Sequence, residues 1–238
     1  MPDSEDGPQV FQDELARIEA AVDAGETDAS TLGFWKLVRQ IKADPMLSAH
    51  WADQIGRIDR KLFEARVRPR FPVWFGNAVL AMGLLVAGGA IAYAVVCDNP
   101  TVSGALLLAS GLILSASVHD LAHWAWGRIV GIRFLWYFLD GPTRIQPGLK
   151  TDYASYLRTA PTARATMHAA GAVASKIVPL IPLAFCLVAD APGWAVAGLI
   201  AFTAIQLVTD LTFSVKRSDW ARVRRELLVA RAQETRKR

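Results

Sequence analysis

His119 and His123 stand four residues apart with Asp120 between, in the string HDLAH. On a helix that spacing stacks two imidazoles on one face, about one turn apart. Two such nitrogens can chelate one zinc ion, and an acid beside them can take a proton from a water the metal polarises. One more carboxylate would complete three protein ligands and leave a fourth position open. Asp210, at the end of the apolar run LIAFTAIQLVTD, is the preferred third ligand, with Asp219, in SDWARVRREL, as the alternative. Depth favours Asp210: at 1.5 Å per residue it and His119 lie about 24–26 Å from the start of their spans, while Asp219 would lie about 39 Å along. His168 and Lys176, two turns apart in another apolar run, are auxiliary candidates. Lys176 reads first as a snorkelling residue and second as a partner of Asp120 or Asp210 or an oxyanion stabiliser.

The elements that must position these residues are membrane spans. The chain has 238 residues, 53% of them hydrophobic and 20% charged, so the two classes must be segregated along it. That composition excludes a disordered chain, and two cysteines exclude both a disulfide scaffold and a thiolate zinc site. Residues 71–97 and 99–118 carry no charge; 165–189 is broken only by His168 and Lys176; 191–209 is again uncharged. Four such runs predict four transmembrane helices, with Pro179 and Pro182 kinking the third. Cys97 and Cys186, at the ends of spans, leave a disulfide open.

Lys and Arg number ten in residues 1–70, six in 124–165 and nine in 216–238; Lys176 is the remaining one, and neither short turn between spans has any. By the positive-inside rule both termini and the middle segment face the cytoplasm, and the pI near 9.3 gives no support to nucleic-acid binding. Residues 1–7 are acidic and lack an apolar stretch, so no secretory leader is expected. Phe11, Leu15, Ile18 and Val22, then Trp35, Val38 and Ile41, then Leu47, Trp51, Ile55, Ile58 and Leu62 recur at helical spacing, predicting three helices punctuated by Gly25 and Pro45. The expected organisation is all-α: a cytoplasmic helical domain over 1–70, a four-span membrane domain over 71–215 and a basic tail over 216–238. The middle segment 139–157 has turn formers at Asp140-Gly141-Pro142 and Pro147-Gly148, and reads as a gate or an interfacial stretch.

The stretch HDLAHWAWGRIVGIRF resembles the signature helix of the site-2 protease family, the intramembrane zinc metalloproteases, with Arg128 and Gly131 matching its basic residue and glycine. AGAVAS, residues 170–175, is similar to the family's AGPxxN, and Asp219 with Arg222 matches the register of its last ligand motif. The resemblance covers roughly residues 72–227. It implies one zinc ion per chain on His119, His123 and an aspartate, Asp120 as the catalytic base, and hydrolysis of membrane-protein substrates in or near their transmembrane segments. It also implies residence in the membrane of a prokaryote, and it favours Asp219 if the fourth span breaks and re-enters. Asp120 stands where the family has glutamate, and Ala172 and Ser175 replace its proline and asparagine. Those departures leave two alternatives: a non-catalytic relative that binds client membrane proteins, and a small metal or ion transporter.

Overall fold

The computed structural model describes residues 7–139, 147–212 and 218–237. The order is α1 (Gly7–Asp23), α2 (Phe34–Lys42), α3 (Pro45–Arg66), β1 (Arg70–Pro72), α4 (Val73–Val96) and α5 (Pro100–Ile129). There follow β2 (Phe134–Phe138), β3 (Gly148–Thr151), α6 (Tyr153–Arg158), α7 (Pro161–Ile177), α8 (Leu180–Val188), α9 (Gly193–Thr212) and α10 (Asp219–Lys237). The fold is an all-α polytopic one, and among the described residues four helical stretches are long and apolar enough to cross a membrane: Val73–Val96, Pro100–Ile129, Pro161–Val188 and Gly193–Asp210.

The chain forms two compact units that do not follow the linear boundaries expected from the sequence. The first gathers residues 1–70, 131–161 and 228–238; the second gathers 71–130 and 162–227. The segment between the second and third spans therefore belongs with the N-terminal helices, and α10 is shared between the units. The turn at Asp140-Gly141-Pro142 lies outside the described residues.

In the first unit α1 and α3 bury the faces their periodicity marks out, whereas in α2 Trp35 is 40% exposed and Phe34 and Leu37 join Val38 and Ile41 on the buried face instead. Leu15, Ile18, Phe34, Ile41, Ile55 and Ile58 are all fully buried. Asp44 caps α3, its carboxylate accepting from the backbone N–H groups of Met46 at 2.8 Å and Leu47 at 3.1 Å, with Pro45 as the first helical residue. Leu157 of α6 joins this core. β2 pairs antiparallel with β3, and Lys150 of β3, partly buried, donates to the buried Asp59 of α3 at 2.6 Å. Burial pushes the Asp59 carboxyl above the usual range against the opposing pull of Lys150.

The second unit is organised around α5. Asn99 starts that helix by accepting from Thr101 N–H and Val102 N–H at 3.0 and 3.2 Å, with Pro100 behind it. Its buried face carries small and polar residues, among them Ser103, Gly104, Ser110, Gly111, Ser115 and Ser117. Small side chains let apolar helices approach closely, and hydroxyls bond across the seams. The Ser103 hydroxyl donates to Ala94 O of α4 at 2.8 Å, and that of Ser115 to Ser175 O of α7 at 2.6 Å. Gln206 of α9 donates to the same Ser115 hydroxyl at 3.1 Å. The third span breaks at Pro179, which separates α7 from α8 as its missing N–H requires. Cys97 and Cys186 are free thiols.

Candidate metal centre

His119 and His123 lie in the last three turns of α5, and their rings meet edge to face with centroids 4.7 Å apart. The third member comes from α10. Ser218 caps that helix, its hydroxyl accepting from Ala221 N–H at 3.2 Å, so Asp219 opens the first turn. Asp219 Oδ2 is 3.3 Å from His119 Nε2 and 3.2 Å from His123 Nε2, while its Oδ1 lies 3.6 Å from Arg222 Nη1. One ligand atom from each of the three residues lies within 4.8 Å of the others.

The preference for Asp210 does not survive this geometry. Asp210 Oδ2 pairs with Lys176 Nζ at 2.8 Å and accepts from Trp220 Nε1 at 3.2 Å. A constant helical rise from Gly193 does not reach Asp219, because α9 ends at Thr212 and a new helix opens at Asp219. Lys176 is thereby tied to Asp210, the second of its two sequence readings. His168 is buried, with its ring 6.3 Å from that of His123, and stands outside the three-residue cluster.

The chemistry of the donor set suits a cation. His123 Nδ1 lies 2.8 Å from the carbonyl oxygen of Met167, so that nitrogen carries the proton and donates. In the neutral ring Nε2 then presents a lone pair, and it faces the carboxylate of Asp219. Two electron-rich atoms at 3.2 Å need positive charge shared between them, either a proton on the ring or a metal ion held by all three residues. Burial pushes the Asp219 carboxyl up, but hydrogen bonds from His119 and His123 outweigh it and hold it well below the usual carboxylate range. Two imidazoles and one carboxylate match the three-ligand pattern of catalytic zinc.

Asp120 is buried, and its Oδ2 has no hydrogen-bond partner among the described residues. A carboxylate oxygen in that condition is costly unless something polar comes to it, which makes the residue a candidate functional group. Arg133, one of the cations that could have neutralised it, instead pairs with Asp152 at 3.1 Å.

Gly171 explains why α7 can serve the site. A Cβ at that position would overlap His123 Nε2 and lie 2.7 Å from the carbonyl oxygen of His119. The AGAVAS motif therefore holds the residue that lets α7 approach the imidazoles. Sequence reasoning also passed over Arg164 and Glu226, a buried ion pair at 2.9 Å between α7 and α10. The available signals were an arginine one turn into an apolar span and an acid seven residues beyond Asp219. Comparison of the chain with protein-family models, curated proteins and solved structures found no match.

Proposed function

We propose that this protein is an intramembrane zinc metallopeptidase of the site-2 protease kind, hydrolysing membrane-protein substrates in or beside their transmembrane segments. The observation that carries the reading is the convergence of His119, His123 and Asp219 beside the unpartnered oxygen of Asp120, within a bundle of apolar helices. His119, His123 and Asp219 would hold one zinc ion, whose Lewis acidity would polarise water and the scissile carbonyl. His123 Nδ1–H donates to the Met167 carbonyl oxygen, which fixes the ring and leaves Nε2 as the nitrogen that would bind the ion. Asp120 accepts the proton of the attacking water and returns it to the leaving amine. The distribution of Lys and Arg supports a cytoplasmic location for both termini, and the resemblance to the site-2 protease family favours the plasma membrane of a prokaryote.

A second reading rests on Asp120 itself. Aspartate is one methylene shorter than glutamate, which favours a non-catalytic relative that keeps the metal and binds client membrane proteins. Metal analysis and cleavage separate the two. The detergent-purified protein is expected to hold about one zinc per chain, and the His119→Ala/His123→Ala variant none. In liposomes carrying transmembrane peptides with a fluorophore and quencher, Asp120→Asn is expected to keep its zinc and lose cleavage. A wild type without zinc after zinc is supplied would end the metal reading. A zinc-loaded wild type that cuts no peptide, while Asp120→Glu does, would establish the client-binding relative.

A further inference from the structure

Arg164 is the largest of the fully buried side chains, at 1% exposure, and Glu226 is 3% exposed. Their ion pair joins α7 to α10 with Arg164 Nε 2.9 Å from Glu226 Oε2. Burying two charges removes the hydration of both, so such a pair is a poor source of net stability and a good source of register. A shift of α10 by one residue would turn Glu226 through about 100° and leave both charges buried and apart.

The positions of the pair are matched to the metal centre. On α7, Arg164, Met167 and Gly171 follow at intervals of three and four and so share one face. Met167 supplies the carbonyl that holds His123 Nδ1, and Gly171 supplies the space that His123 occupies. Arg164 lies seven residues before Gly171, and on α10 Glu226 lies seven residues after Asp219. Seven residues make nearly two turns, returning to the same face about 10.5 Å along the axis. Equal intervals, counted in opposite chain directions, thus align Asp219 with the imidazoles when Glu226 meets Arg164.

Resting on the metal reading above, we infer that Arg164 and Glu226 are positioning residues for the metal centre: their pair sets the register of α10 that delivers Asp219 to His119 and His123. One stripe of α7 then places ligands from two other helices, steering the ring of His123 directly and the carboxylate of Asp219 through Glu226.

The test measures zinc affinity by chelator competition and the visible spectrum of the cobalt-substituted full-length protein in detergent, for Glu226→Gln, Arg164→Met/Glu226→Met, the exchange Arg164→Glu/Glu226→Arg, and Asp219→Ala. Glu226→Gln is expected to lower zinc affinity about 10–100-fold, as loss of supporting partners around a metal does, and to alter the cobalt bands. The double methionine variant leaves no unpaired charge and serves if Glu226→Gln fails to fold. It is expected to keep the wild-type helical content and show the same weakened binding. The charge exchange should restore part of the affinity. Wild-type affinity and spectrum in a folded Glu226→Gln or double methionine protein, with Asp219→Ala weakened, overturn the positioning role and leave Asp219 a ligand. Unchanged affinity in Asp219→Ala overturns the ligand reading and this inference together.

Discussion

In the unit built on α1–α3, the helical core is apolar and its buried carboxylate is matched: Asp59 meets Lys150 at 2.6 Å, and the ammonium lies over the Phe63 ring, 5.0 Å from its centroid. In the unit built on α5, the pattern inverts. Leu85, Leu187 and Ile205 face outward at 70%, 84% and 61% exposure, while serines, glycines, Asp120 and His123 are buried. The contrast is sharpest between the buried carboxylates of the two units. Asp59 has its ammonium, whereas Asp120 keeps an oxygen with no hydrogen-bond partner among the described residues and the Asp219 carboxylate faces imidazole nitrogens. A matched pair serves the fold; an interior carboxylate left open is poised for something that arrives.

That contrast breaks most visibly at the third ligand. Asp219→Ala is expected to lower zinc affinity about 100-fold or more, whereas Asp210→Asn, which keeps an acceptor for Trp220, should leave zinc content unchanged, both read by elemental analysis and chelator competition. Equal losses in the two variants would erase the distinction between the aspartates. In the other unit Lys150→Met should cost about 3 kcal/mol by leaving the Asp59 carboxylate buried without its cation, with zinc content untouched. Adding Asp59→Asn should recover most of that loss in denaturant titration, because a matched pair is replaceable as a pair. The smallest effect is expected at Gly171→Ala. Overpacking against His123 should destabilise by about 1–3 kcal/mol and weaken zinc binding, so a variant with unchanged melting temperature and affinity would remove the close approach from the argument.

The helices were legible because their signals are local. Asn99-Pro100 and Asp44-Pro45 announce helix starts, the spacing of Leu15, Ile18 and Ile55, Ile58 marks buried faces, and Pro179 marks the break between α7 and α8. His119 and His123 were legible for the same reason, since four residues on one helix settle their proximity. Asp219 depends on where the chain turns after α9, which a count of residues at constant rise does not contain. Arg164 was equally hidden: in a tally of positive charge it counts as one more cytoplasmic residue, and only the placement of Glu226 reveals it as buried. The grouping of 131–161 with the first unit was obscured in a similar way. Its ties, such as Lys150 to Asp59 and Leu157 in the N-terminal core, run between residues far apart in sequence.

The imidazole and carboxylate that meet at 3.2 Å are 96 residues apart in the chain. A ribosome delivers the two histidines early and Asp219 only after every membrane-spanning stretch has been made. If the three residues hold a metal ion as proposed, the growing polypeptide would carry only two of its three ligands until that point. On the proposed reading, this order of synthesis would make metal capture the last act of assembly, so that completing the bundle and completing the site would coincide.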